Sequence, residues 1–308
     1  MISKTQKSFK IPTLSGSRLL HSMQFYKAVK NTAVYFILIA LSVVYLAPFF
    51  YMIGHSLMST VDWLDPEVNW LPRTLYFDNY GNAVKILNYW PKLLMSLGIM
   101  LLSTLGQIIS CSFVGYGLAR IKFFANPIIS LIVVFTMIIP PQVIIVPQFL
   151  LFSGWNMVDT YWPIILPCFF AMGLNGGLFI FIFRQFFKGM PGELENAALI
   201  DGAGVFGAFF RVMLPNVAPG LLVSFILSII WQWNNSFEPS IYIREPSQAT
   251  LSLQLHYFQD LAKSANMSSY SQGVVVASTV LIVLPIIIIF FVLQRKFMQS
   301  IEMSGLAN

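Results

Sequence analysis

The chain has 308 residues, 57% of them hydrophobic and only 10% charged, with a formal net charge of +6. Soluble domains carry about 25% charged residues, so this composition excludes one large soluble core and points to a polytopic membrane protein. No basic run is dense enough for a nucleic-acid footprint, which leaves membrane topology as the meaning of the positive balance.

The first thirty residues hold Lys4, Lys7, Lys10, Arg18, Lys27 and Lys30. They do not read as a cleavable signal, because the apolar run after them starts late, is long and lacks a small-residue cleavage pattern. Leu19, Leu20, Met23 and Tyr26 share a helical face. Ser17–Asn31 therefore reads either as an amphipathic helix on the inner membrane surface or, with equal support, as a basic tail without structure.

A helix needs roughly 20 apolar residues to cross the hydrocarbon. Six runs qualify: Val34–Leu57, Leu93–Leu118, Pro127–Phe152, Trp162–Phe183, Val217–Phe237 and Val274–Leu293. None contains Lys, Arg, Asp or Glu. One such charge at the centre of a span costs about 2.5–3.5 kcal/mol on insertion scales, so the pattern predicts an all-α polytopic membrane protein with six transmembrane helices. If the intervening segments alternate sides, thirteen Lys and Arg lie on the side of the N-terminus and five on the other. The positive-inside rule then puts the N- and C-termini in the cytoplasm. The domain plan is a cytoplasmic segment over 1–31, a membrane domain over 32–298 and a cytoplasmic tail over 299–308. Ser59–Trp90 and Pro239–Gln272 become the two large outer loops.

Pro140, Pro141 and Pro147 fall inside the third run. Proline removes a helical donor and kinks the ladder. A kinked span suits a helix that reshapes during transport, and equally a static packing bend. Cys111 and Cys168 lie in apolar runs and read as small packing residues. His21, His55 and His256 are scattered, with no second ligand at metal or triad spacing. No phosphate-binding loop of the GxxxxGK[ST] type occurs. The chain therefore reads as a non-catalyst that binds no cofactor or metal.

Between the fourth and fifth runs lies a segment that is rich in carboxylates and small residues, ELENAALIDGAGVFGAFFRVMLPNVAP, Glu193–Pro219. Pro191 favours a helix start, and Glu193 and Glu195 suit the dipole of its first turn. Leu194, Ala197, Ala198 and Asp201 share one face. Gly202-Ala203-Gly204 breaks the helix. A second short helix carries Val205, Ala208, Phe209, Val212 and Met213 along one stripe, and Pro215 and Pro219 end it. A helix, a tight turn and a second helix suit a plug that docks in a partner's groove. The same pattern also fits an interfacial pair that packs only on its own spans.

This segment resembles the EAA loop of permease subunits of binding-protein-dependent ABC importers. That pattern is Glu-Ala-Ala, three residues and Gly, with Leu-Pro downstream. Here Asn196-Ala197-Ala198, Asp201-Gly202-Ala203 and Leu214-Pro215 match it. Asn196 departs from it, standing where the family usually has Glu, so one ion pair with the partner becomes at most a hydrogen bond. The runs MIIPPQVIIVPQFLLF (Met137–Phe152), VDTYWPIILP (Val158–Pro167) and QRKFMQSIEMSGLAN (Gln294–Asn308) resemble the maltose-type carbohydrate branch. The resemblance implies a type I ABC importer permease fold in the bacterial cytoplasmic membrane, with the loop at about 188–216 docked on an ATPase. Glu195, Asn196, Ala197, Ala198, Asp201, Gly202, Ala203, Leu214 and Pro215 would form that coupling loop. The implied partners are a second permease, two ATPase subunits that hold ATP and Mg2+, and an extracytoplasmic solute-binding protein. Glu245–Tyr270 would meet the binding protein, and Ser304–Leu306 would be a second ATPase contact. The implied cargo is an oligosaccharide or related solute.

Polar groups within spans face a cavity more often than lipid. Gln107, Ser110, Gln142 and Asn175 qualify, and WQWNNSFEP (Trp231–Pro239) is the best cluster. Trp231 and Trp233 would stack on a sugar ring while Asn234 and Asn235 bond its hydroxyls. Trp at a span end is also ordinary belt composition, and Asn or Gln also bonds neighbouring helices. An ion-driven carrier is the rival reading. It needs an ionisable group at mid-membrane, and the runs offer only His55 near a span end.

Overall fold

The computed structural model describes residues 16–263 and 272–305. Two compact units divide the chain, residues 1–54 and 55–308. In the first, α1 (Gly16–Ser56) runs without a break, its last two residues belonging to the second unit. Between Lys30 and Asp62 the chain has no Lys, Arg, Asp or Glu. Most apolar side chains from Val34 to Ile53 are exposed, as suits a helix whose solvent is lipid. Ser17–Asn31 thus belongs to one long helix with the first run, while side chains 17–25 lie outside the described residues.

The second unit begins with α2 (Thr60–Leu64), closed by a reciprocal Ser59–Asp62 capping box. Then follow α3 (Asp78–Leu87) and α4 (Tyr89–Arg120), joined at Asn88, a left-handed residue with φ 47°. The third run is two helices, α5 (Asn126–Thr136) and α6 (Pro141–Gly154), bent by 101°. Pro140 and Pro141 both lack the N–H needed to carry the ladder across 137–140. The expected kink is therefore a full break. The fourth run is not one helix either. It forms α7 (Trp162–Phe169) and α8 (Gly176–Gly189), separated by a turn with Ala171 and Asn175 at positive φ.

Beyond these lie α9 (Gly192–Ile200), α10 (Val205–Ala208), a π-helical turn over Phe209–Met213, and α11 (Leu214–Asn216). Next come α12 (Ala218–Asn234), α13 (Phe237–Tyr242), a 3-10 turn at Pro246–Gln248, α14 (Leu251–Lys263) and α15 (Gln272–Gly305). Among the described residues, three helices are long and apolar enough to cross a membrane, and two bent pairs bring the number to five at most.

At the centre of the second unit, α4 packs against α7, α8 and α12. Small residues set that approach. A Cβ on Gly115 would lie 2.7 Å from Phe183 Cβ on α8, so only glycine lets the helices meet so closely. Ser228 donates to Thr104 Oγ1 across α4 and α12 at 3.1 Å. Pro285 cannot donate to the Leu281 carbonyl one turn back. Tyr89 Oη takes that acceptor at 3.0 Å, tying α4 to α15. Buried Lys92 donates to Pro246 O at 2.8 Å and Gln254 Oε1 at 2.7 Å, which anchors the loop before α14. Of that outer loop, residues 264–270 lie outside the described residues.

Candidate functional site

The carboxylate-rich segment folds as two helices around a glycine turn. α9 starts after Pro191 and carries Glu193 and Glu195 in its first turn. It ends in a Schellman motif: Gly202 N donates to Leu199 O at 3.1 Å, and Ala203 N donates to Ala198 O at 3.0 Å. Gly202 has φ +83°, a conformation in which any Cβ is strained. The π turn precedes Pro215, whose missing N–H frees the Arg211 carbonyl. Single π turns inside α-helices recur at functional sites.

The segment has two faces. Ala198, Ala208, Phe209 and Met213 point inward, and Phe209 meets the Tyr116 ring at 5.1 Å. Of the expected second stripe, Val205 is exposed instead. The first helix buries only Ala198 of its four-residue face, leaving Leu194, Ala197 and Asp201 exposed. Leu199, Ile200, Val205, Phe206 and Phe210 are exposed, Ile200 85% and Phe206 66%, although the Phe206 ring also stacks on Phe113 of α4 at 5.7 Å. Asn196, Ala197, Asp201, Gly202 and Pro215 are exposed around them, and Ala203 and Leu214 are half-buried. Glu193, Asp201 and Arg211 are exposed on the same segment. An apolar patch with a charged rim is the surface a groove on a partner would cover.

Glu195 does not join that rim. It turns toward α4, where Tyr116 Oη donates to its Oε1 at 2.6 Å. Arg120 Nε sits 3.7 Å from its Oε2, an ion pair without a hydrogen bond. Arg120 also donates to Met190 O at 2.6 Å, closing the turn between α8 and α9. Tyr116 is buried, and both Arg120 and Glu195 are largely so. Sequence reasoning missed Tyr116 and Arg120, because Arg120 was already explained by topology. Their i, i+4 spacing on one helical face, one turn from the end of α4, was the available signal.

The residues read as a substrate path meet different neighbours. Trp233 is buried and donates from Nε1 to Ile282 O at 3.1 Å, inside the core of α4, α12 and α15. Trp231 packs edge-on against Phe179 at 5.5 Å. Asn234 is exposed and bonds Ile230 O in its own helix. Asn235 Nδ2 donates to Glu238 Oε2 at 2.7 Å. Asn175 precedes α8 at φ 58°. Gln107 and Ser110 hold the turn between α7 and α8, through Leu174 O at 3.1 Å and Cys168 O at 2.6 Å. Gln142 is exposed, and His55 packs edge-on to Trp63 at 5.1 Å.

Comparison with known proteins places this architecture. Residues 111–303 match the family described as "Binding-protein-dependent transport system inner membrane component". The chain is 32% identical over 296 residues to the arabinooligosaccharides transport system permease protein AraQ of Bacillus subtilis (strain 168), covering 93% of this chain and 99% of that one. It is 29% identical over 267 residues to the probable starch degradation products transport system permease protein AmyC of Thermoanaerobacterium thermosulfurigenes, covering 86% and 93%. Its fold matches a chain of a bacterial ABC transporter involved in the import of the acidic polysaccharide alginate. The TM-score is 0.71 at 22% identity, covering 90% of this chain and 98% of that one. The fold is thus the all-helical type I ABC importer permease fold, and the chain belongs to the family of inner membrane components of binding-protein-dependent transport systems.

Proposed function

We propose that this chain is one of two permease subunits of an ATP-driven importer and that it passes an oligosaccharide or related saccharide by alternating access. Six spans with both termini in the cytoplasm account for the six uncharged runs and the Lys and Arg bias. In this reading α7 and α8 together make the fourth crossing. The segment 188–216 docks in a cleft of a cytoplasmic ATPase, and two such ATPases hold the ATP and Mg2+. A second permease completes the pore, and a solute-binding protein delivers cargo from outside, meeting the loop at 245–270. Ser304–Leu306 is a second ATPase contact, with Leu306 outside the described residues. The saccharide assignment is supported by the names of AraQ and AmyC.

The observation that carries the docking role is the exposed row Leu199, Ile200, Val205, Phe206 and Phe210, set on a turn that Glu195 clamps to α4. Exposed Asn196 offers the partner a hydrogen bond in place of an ion pair. The test is to tag the chain, express it with its genomic neighbours and extract it in mild detergent. An ATPase and a second permease should co-purify, and loaded binding protein should stimulate hydrolysis. A chain that purifies alone and drives uptake in ATP-free vesicles would overturn the proposal.

A further inference from the structure

The two helix breaks that the sequence hid meet at one place. A cavity of about 430 Å3 opens between the α5–α6 break and the turn from α7 to α8. That volume is ordinary for a small-molecule site, where about 300–1,000 Å3 is usual. Irregular backbone at membrane depth is tolerated where it lines a cavity. Ala171 and Asn175, both at positive φ, lie in its wall. Such strained backbone clusters at functional sites. Ile138, Ile139 and Met172 make the lining mostly apolar, and Gln148, Asn175 and Glu238 supply side-chain polar groups.

Glu238 is the unusual member. It is half-buried and lies in the cavity wall. Its Oε2 accepts from Asn235 Nδ2 at 2.7 Å, and its backbone N donates to Asn235 Oδ1 at 3.3 Å. Among the described residues no Lys, Arg or His pairs with it, and its Oε1 accepts no hydrogen bond from the protein. A carboxylate oxygen with no protein donor, on a residue that lines a cavity, is an acceptor that a solute hydroxyl can satisfy. A uronate carboxylate would meet like charge there with no cation to offset it.

We propose that this cavity is a solute subsite of this chain, and that Glu238 selects neutral saccharide units over acidic ones. Its free Oε1 takes a ring hydroxyl, Gln148 and Asn175 offer amides to neighbouring hydroxyls, and the apolar lining takes the ring face. The inference rests on the importer reading. It differs from the sequence expectation in using Glu238 and the two breaks, and not Trp231 and Trp233.

The experiment uses the transporter assembled with its own partner subunits in proteoliposomes. Met172, which is 70% exposed, is replaced as Met172→Cys. Its labelling is followed with cationic and anionic membrane-impermeant thiol reagents of equal size, with and without ATP and vanadate. Both reagents should reach the site, the nucleotide state should change the rate severalfold, and the cationic reagent should react severalfold faster. Adding Glu238→Gln should remove that charge preference while ATPase assembly is retained. A panel of neutral di- and trisaccharides should protect the cysteine, and trigalacturonate should not. Labelling only by membrane-soluble reagents would show that lipid or the partner covers the cavity and would overturn the proposal. So would an unchanged charge preference, protection by no neutral sugar, or equal protection by trigalacturonate. If instead no ATPase subunit accompanies the chain, the importer reading is what fails.

Discussion

Tyr116 donates its phenolic hydrogen to Glu195 Oε1 across 2.6 Å, joining the last turns of α4 to the first turn of α9. Arg120, one turn further along α4, faces the other oxygen of the same carboxylate. A force that moves the exposed face of α9 therefore has a short polar route into a long apolar helix. Under the proposed docking role, Glu195 is a positioning residue of the segment and Asn196 faces the partner.

Loss of this clamp should uncouple rather than unfold. A hydrogen bond to a charged group contributes about 1.5–3 kcal/mol. Tyr116→Phe and Arg120→Gln should leave the protein inserted and its ATPase bound. The number of ATP molecules hydrolysed per solute imported should rise severalfold, measured by paired uptake and phosphate-release assays in proteoliposomes. An unchanged ratio in both variants would remove the clamp from the mechanism.

Gly202 and Gly204 provide a matched contrast. A Cβ at either would meet nothing within 4 Å, but Gly202 has φ +83° and Gly204 has φ −66°. Conformation alone separates them. Gly202→Val should strain the turn by about 1–3 kcal/mol and abolish uptake, while Gly204→Ala should transport normally. Equal behaviour of the two would mean that the left-handed turn is dispensable.

The approach of α4 to α8 at Gly115 leaves no room for a side chain. Beyond Phe183 Cβ at 2.7 Å, a new Cβ would meet the backbone N of Arg184 at 3.0 Å. Overpacking of this kind costs about 1–3 kcal/mol. Gly115→Val should lower the Tm of the detergent-solubilised protein, whereas Gly117→Ala, with open space around it, should leave it unchanged.

Tyr89 and Pro285 act as a pair. Tyr89→Phe leaves the Leu281 carbonyl with neither a helical nor a side-chain donor, a loss of about 1–3 kcal/mol. Adding Pro285→Ala restores an N–H one turn away. The double variant should then recover most of the stability that Tyr89→Phe loses. A thermodynamic cycle on Tm reads the coupling directly, and strict additivity would contradict the pairing.

Much of this was legible in the residues. Three of the six uncharged runs fall on long apolar helices, and Pro191 and the glycine turn marked the ends of α9, whereas Pro215, expected to end the second helix, lies inside α11. What the pattern concealed has physical causes. Apolarity reports burial in lipid, not continuity of a helix. The third and fourth runs therefore read as single spans although Pro140-Pro141 removes two donors and Asn175-Gly176-Gly177 carries turn chemistry. Trp233 looked like a sugar platform because its composition suits one, but its direction is set by a carbonyl of α15. Arg120 was hidden because positive charge at a span end has a sufficient cause in topology. Glu238 drew no notice because nothing in a linear sequence says that a carboxylate lacks a donor.

The central claim is that the row around Ile200 and Phe206 is the ATPase-docking surface. The direct measurement is site-specific photocrosslinking, with a benzophenone amino acid at Phe206 and, as an inward-facing control, at Phe183. In intact cells that express the native partners, the account predicts that position 206 crosslinks to the ATPase subunit and that the yield falls when Gly202→Val is added. Position 183 should give no ATPase adduct. Adducts of position 206 only with lipid or with this chain's own helices would contradict the account.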